Sequence, residues 1–264
     1  MKEHKGAAMW ELYDRLIDGI PEDMIVNDYC VGIGWTYVQS GDHVGTALSV
    51  RGRQRHKNKR ESLLGKPLKS VAMLSKSWDM VDASLGTAAI NCFYNYPDRV
   101  RKDGGFKDIN IEDKTIKERT KKDAFIAFAD EIKGKKVACI GHFPHIESQF
   151  SDICDLIILE RNPAPSDYPD SACEYILQEQ NYVFITGMTF INKTLPRLLQ
   201  IARDHAKISI VGPSTPMSAI LKDYGVNNLS GFCVTEPDIL KERISRGEGL
   251  GIFYGGWMVS VNLQ

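Results

Sequence analysis

Five short apolar runs, VACIG, DLIILE, YVFITG, ISIVG and the weaker FCVT, punctuate the second half of the chain. Between them stand segments of helical composition: SACEYILQE, TLPRLLQIARDH, PMSAILKDY and PDILKERIS. A strand that is apolar at nearly every residue is buried on both faces, and a helix between two strands returns the chain to start the next in the same direction. The pattern predicts a mainly parallel sheet with helices on both faces, a Rossmann-like doubly wound domain opened by the helix KERTKKDAFIAFADEI. Ligands of such sheets sit at the carboxyl ends of the strands.

The first half lacks that alternation. A helix over Met9 to Ile20 carries Trp10, Tyr13, Leu16, Ile17 and Ile20 at helical spacing, and Pro21 stops it. The β-rich runs MIVNDYCVGIGWTYVQS and VGTALSVRG flank Ser40-Gly41-Asp42-His43, which has the composition of a hairpin turn. Helices follow at KPLKSVAMLSKSW and DASLGTAAINCFYNY. On the latter, Thr87, Asn91 and Asn95 recur four apart between small residues, a polar row expected to face a cleft. The polar segment PDRVRKDGGFKDINIEDK with its Gly104-Gly105 reads as a linker, giving domains over 1–110 and 111–264.

Composition narrows the class of partner. The 264 residues are 43% hydrophobic and 25% charged with a formal net charge of -1, so no charge excess argues for nucleic acid or a membrane surface. The amino-terminal stretch has no apolar core of signal-peptide length, and no apolar run reaches about 18 residues, which predicts a cytoplasmic protein. The six cysteines are scattered without a C-x-x-C pair, as expected of buried free thiols in a reducing compartment.

Parallel strands would bring four strand ends to one edge: Gly141 in IGHFPH, Glu160 in ILERNPAPSDYPD, Gly187 in ITGMTFINKT and Gly212 in VGPSTPMS. In VGPSTP, Pro216 suits the first turn of a helix and Ser214 or Thr215 its N-cap, and exposed N–H groups there favour an anion. Glu160 lies about twenty residues past Gly141, where dinucleotide folds place an acid on the ribose. GHFPHI is nevertheless not G-x-G-x-x-G, with Pro144 in the tight turn, so the carboxylate could equally ligate a metal, act as a base or cap a helix.

His142 and His145 are metal-ligand candidates, with Glu160, Asp167 or His43 able to supply a third ligand through the fold. The basic run RGRQRHKNKR, 51–60, reads as a solvated loop, with phosphate steering as its rival.

With these residues in view, the sequence resembles a family of bacterial and archaeal proteins once catalogued only as a domain of unknown function and now labelled heavy-metal chelation proteins. The resemblance rests on VGIGWTYV, VGTALSV, LLGKPLKSVAMLSKSWDMVDASLGTAAIN, IGHFP, ILERNPAPSDYPDSACEYIL, ITGMTFINKTLPRLL, VGPSTPMS and YGGW, and covers nearly the whole chain. It implies an α/β fold: a small α+β enolase-N-terminal-like domain followed by a Rossmann-like one, with a site in the cleft between them. The family pattern carries over to Asn91, Gly141, Phe143, Pro144, Glu160, Thr186, Gly187, Asn192, Gly212, Pro213, Ser214 and Pro216. His145 and the basic run depart from it.

The expectation that follows is a divalent or heavy metal ion or a small anionic ligand in that cleft. Glu160 and Asn91 would give oxygen donors, His142 a nitrogen, and the ITGMT and VGPSTP loops, Thr215 included, would hold anionic groups. Two alternatives stand: an enzyme binding a nucleotide or S-adenosylmethionine-type cofactor with Glu160 at its ribose, and a non-catalytic small-molecule binding module. No nucleophile, base and orienter assemble from local motifs, so whether the protein is an enzyme stays open, as does a homo-oligomer.

Overall fold

A computed structural model of the chain describes residues 5–50, 61–107, 109–110, 112, 115–121, 124–144 and 146–263. The basic run 51–60 and His145 therefore lie outside the described residues. The chain opens with α1 (Lys5–Asp18), which buries Leu12, Tyr13, Leu16 and Ile17. It begins earlier than the periodicity predicts and leaves Gly19 and Ile20 to the turn before Pro21.

Strands β1 (Asp28–Val31), β2 (Trp35–Ser40) and β3 (His43–Leu48) form an antiparallel sheet. The predicted hairpin is present, with Ser40 opposite His43 and Gly41 in the left-handed region at φ 57°.

Against this sheet lie α2 (Leu68–Ala72) and α3 (Met80–Tyr94). Asp79 caps α3 by accepting from the N–H groups of Val81 at 2.9 Å and Asp82 at 3.2 Å. Every residue of α3 from Ala83 to Tyr94 is buried, because two glycines let neighbours reach its backbone. A Cβ on Gly45 would lie 2.0 Å from Cys92 N, and one on Gly86 would lie 1.9 Å from Ser75 N. Helix α4 (Pro97–Lys102) occupies the start of the segment read as a linker.

The helix expected at KERTKKDAFIAFADEI is in two pieces, α5 (Ile116–Thr120) and α6 (Ala124–Ala127). Residues 122 and 123 between them lie outside the described residues. Buried Arg119 of α5 pairs with Glu236 at 3.1 Å, donates to the carbonyls of Tyr254 and Gly256, and lies over the Trp257 ring.

The larger sheet follows: β4 (Lys136–Ile140), α7 (Ile146–Phe150), β5 (Asp155–Glu160), β6 (Tyr168–Pro169), α8 (Cys173–Ile176) and β7 (Tyr182–Thr186). Then come α9 (Met188–Asn192), α10 (Leu195–Ala202), β8 (Lys207–Val211), β9 (Val226–Val234), α11 (Pro237–Ser245) and β10 (Gly256–Asn262). The strand order is β10-β9-β8-β7-β4-β5-β6, parallel throughout except for β10. From β6 to β9 this is the Rossmann order 3-2-1-4-5-6, with one antiparallel strand added at the edge. The order reverses between β4 and β7.

The run FCVT proves to be the end of a nine-residue strand, β9. It pairs with β10, which sequence periodicity did not single out.

The helix expected to start at Pro216 does not form. The chain stays non-helical until a 3-10 turn at Ala219–Tyr224, capped by Ser218. The reason is tertiary: Asn95 Nδ2 donates to Thr215 O at 2.9 Å while Asn95 Oδ1 accepts from Met217 N at 2.9 Å, which holds the loop open.

One apolar core joins both sheets, with Leu85 and Ala88 of α3 in the same cluster as Ile185, Phe190 and Leu229. All six cysteines are free, and Cys30 alone is not buried. Among the described residues no helix is long and apolar enough to cross a membrane.

Candidate functional site

The residues expected to bind a ligand fall into two separate environments. Gly141, Glu160, Thr186 and Asn192 line one crevice at the carboxyl edge, where the strand order reverses. Asn91, Gly187, Pro213, Ser214 and Thr215 lie in the joint between the two sheets.

The crevice opens to solvent and is also lined by Arg161, Asp170 and Met188. Gly141 ends β4 at φ 100°, a left-handed conformation that a side chain would strain. Its added Cβ would also meet Thr186 Cγ2 at 3.0 Å. Asn192 Oδ1 accepts from Thr194 N at 3.1 Å and from Thr194 Oγ1 at 2.7 Å.

The Glu160 carboxylate is engaged by the backbone. Oε2 accepts from His142 N at 3.0 Å, and Oε1 accepts from Arg161 N at 2.6 Å and Asn162 N at 3.2 Å. It thus staples the loop after β4 to the loop after β5.

That staple presents His142. Its Nδ1 lies 2.8 Å from Asp167 Oδ2, and its Nε2 lies 3.1 Å from Glu147 Oε1 in the first turn of α7. Asp167 Oδ2 also accepts from Ala164 N at 2.8 Å, and the Asp167 side chain is fully buried. The other oxygen, Oδ1, is buried without a hydrogen-bond partner. The Asp167 hydrogen bond raises the His142 pKa above the ordinary imidazole value; the charges of Asp167 and Glu147 add to the rise and desolvation opposes it.

Each of the three residues offers one ligand atom, all within 4.8 Å of one another. Among the described residues no other group of three or more His, Cys, Asp and Glu side chains meets that spacing. Zinc-type ions bind imidazole and carboxylate at about 2.0–2.2 Å, so ligand atoms on one tetrahedral ion stand about 3.3–3.6 Å apart. At 3.1 Å, Nε2 and Glu147 are in ion-pair contact and would separate slightly to share an ion. Asp167 on Nδ1 is the outer carboxylate that typically orients a ligating imidazole.

Of the third ligands open to His142 in the sequence, Asp167 is the one beside it. Glu160 holds its backbone, and His43 stacks on Tyr96 with ring centroids 3.8 Å apart. Glu147 had no sequence signal, since five residues separate it from His142 across a loop and no fixed periodicity relates them. Phe143 packs edge-on against Phe125, with centroids 4.9 Å apart.

The row Thr87, Asn91, Asn95 is buried rather than open to a cleft. Thr87 bonds back to Ala83 O at 2.9 Å. Asn91 Nδ2 donates to Thr46 O at 2.8 Å and reaches Pro213 O at 3.5 Å, so Asn91 bridges β3 and the loop after β8. Asn95 adds a bond to Phe232 O at 3.1 Å. Ser214 Oγ accepts from Leu48 N at 2.9 Å. Gly187 abuts the same loop, where an added Cβ would lie 2.7 Å from Thr215 N. Gly212, at φ 108°, turns the chain into it.

A small α+β unit joined to a Rossmann-like domain whose carboxyl edge bears a histidine–carboxylate group is the class this structure defines. The chain belongs to the DUF364 family: the model of that family, described as "Putative heavy-metal chelation", matches residues 123–262. A second family model with the same description, DUF4213, matches residues 13–94. A crystal structure of a DUF364 protein of unknown function from Desulfitobacterium hafniense DCB-2 is 38% identical, with a TM-score of 0.83 over 98% of this chain and 100% of that one. A second, from Pyrococcus horikoshii, has a TM-score of 0.76 over 97% of this chain and 99% of that one; at 18% identity it shows the fold alone. An uncharacterized protein of Methanocaldococcus jannaschii is 25% identical over 235 residues, 85% of this chain and 84% of its own length.

Proposed function

We propose that the protein chelates a divalent transition metal at the carboxyl edge of its larger sheet, through His142 Nε2 and Glu147, with Asp167 holding the imidazole from behind. The carrying observation is the line of Glu147, His142 and Asp167 at 3.1 and 2.8 Å, with the inner carboxylate buried. Imidazole and carboxylate donors suit zinc, nickel, cobalt or copper rather than a thiolate-bound ion. The exposed Glu147 side leaves room for water or a chelating molecule on the same ion. The family description supports this reading.

Isothermal titration of EDTA-stripped protein with Zn²⁺ and Ni²⁺ tests it. One ion per chain, lost in His142→Ala, is expected; no uptake, or equal uptake in the variant, overturns it.

A second reading rests on the crevice at the strand-order reversal, the usual place for an organic ligand in such sheets. A nucleotide or S-adenosylmethionine there would raise the Tm of the metal-free protein. Absence of any shift removes this reading and leaves the metal site standing.

A further inference from the structure

The crevice at the strand-order reversal has two banks of different character. Strand β4 ends in its middle at Gly141, with β5 on one side and β7 on the other. From β5 and the turn after β6 come Glu160, Arg161 and Asp170, one cation and two carboxylates. From β7 and α9 come Thr186 and Asn192, which carry no charge.

Hydrogen bonds fix what each bank has left to offer. Thr194 N can only donate, so the Asn192 atom that it meets at 3.1 Å is the amide oxygen, and among the described residues no acceptor meets Nδ2. Thr186 Oγ1 accepts from Met188 N at 3.3 Å, which leaves its hydroxyl hydrogen to donate. The β7 bank therefore offers neutral donors. On the opposite bank Arg161 Nε donates to Asp170 Oδ2 at 3.2 Å, and among the described residues Asp170 Oδ1 has no partner. Glu160 adds a second negative charge there, its oxygens held by backbone N–H groups. With both side chains about half exposed, the Arg161–Asp170 pair adds little to the fold and can rearrange around a ligand. The floor between the banks is apolar: Ile140, Leu159 and Leu198 are buried and line the crevice.

A ligand of one charge sign does not suit this arrangement. A bare anion would face two carboxylates and one guanidinium, and a bare cation would leave the donors of Thr186 and Asn192 unused. A molecule with an ammonium and a carboxylate on one carbon sets each against the bank that complements it, and an apolar chain on the same carbon covers the floor. Gly141 has no side chain to block its path across the end of β4.

We propose that the crevice seats an α-amino carboxylate, either a free apolar amino acid or the amino-acid end of a larger molecule. The carboxylate accepts from Asn192 Nδ2 and Thr186 Oγ1, and the ammonium donates to Asp170 Oδ1. The assignment rests on the reading of this crevice as an organic-ligand site and involves neither His142 nor Glu147.

Isothermal titration of the metal-free protein with L-methionine, 4-(methylthio)butanoate, S-adenosylmethionine and 5′-methylthioadenosine tests it. The butanoate is methionine without its ammonium, and methylthioadenosine is S-adenosylmethionine without its amino-acid end. If the ligand is a free amino acid, methionine is expected to bind about 10- to 100-fold more tightly than the butanoate. If it is a larger molecule, S-adenosylmethionine is expected to exceed methylthioadenosine by about the same factor. Asn192→Asp keeps the oxygen that Thr194 requires and puts a carboxylate oxygen where the donor stood, so whichever ligand binds should weaken at least about tenfold. Asp170→Asn, at a half-exposed position, should weaken it by about the same factor through loss of the ammonium's charged acceptor. Each truncated molecule binding as tightly as its parent, or both variants binding as well as the natural chain, overturns the proposal and leaves the crevice as an organic-ligand site. Binding of none of the four molecules overturns both.

Discussion

The carboxyl edge and the joint between the sheets are both built from polar side chains on glycine-bearing loops, and they use those side chains in opposite ways. At the joint most polar groups are spent on backbone: Asn95 bonds Thr215 O, Phe232 O and Met217 N, and Ser214 takes Leu48 N, while Asn91 Oδ1 and Thr215 Oγ1 are buried without a partner. At the edge Glu160 is spent in the same way, yet its effect is to hold His142 out between two carboxylates where water reaches it. Burial decides the difference. A polar side chain sealed between elements spends most of its capacity on backbone, whereas one at an open strand end keeps capacity for a ligand.

That contrast breaks most visibly at Asn95. Asn95→Ala strands three buried backbone groups and is expected to destabilise by about 3–5 kcal/mol in denaturant unfolding, with metal binding per folded molecule unchanged. His142→Ala is expected to do the reverse. Titration should show Zn²⁺ affinity falling at least about 100-fold, or about 2.7 kcal/mol, with a loss of Tm in EDTA smaller than that of Asn95→Ala, since buried Asp167 loses a partner. Asp167→Asn, which removes the orienting carboxylate, should weaken binding about 10- to 100-fold by the same titration.

Ser214→Ala leaves Leu48 N without its acceptor and is expected to cost about 1–2 kcal/mol by thermal unfolding, again sparing the metal. The smallest effect is that of pH. His142 has a raised pKa in the folded protein, so the stability it contributes is complete below the ordinary imidazole value of about 6.5 and is lost as pH rises through the raised folded value. The metal-free Tm should therefore dip slightly across that window. Zn²⁺ affinity should climb across the same window as Nε2 loses its competing proton. A joint variant that lost metal, or an edge variant that unfolded the chain, would erase the distinction.

The larger sheet was legible in the chain itself because its strands are apolar on both faces, a pattern that needs no partner to interpret. VACI, DLIILE, YVFIT and ISIV became β4, β5, β7 and β8 within a residue or so. The hairpin around Gly41 was legible for a similar local reason. Less legible were elements whose form depends on what they touch. The segment after Pro216 reads as a helix until Asn95 holds its backbone. The row on α3 reads equally well as a cleft or a seam, because helical spacing shows that three side chains share a face and not what that face meets.

By itself, then, the sequence determined a two-part α/β chain, the parallel order implied by its apolar strands, and His142 at a strand end with Asp167 among its possible companions. Tertiary structure alone decided that Glu147 joins them, that Glu160 binds backbone instead, and that Asn91 and Thr215 are sealed in a joint. Local residue patterns report periodicity and propensity. Which polar atoms face one another, and which still face water, is settled only when strands distant in sequence are laid side by side.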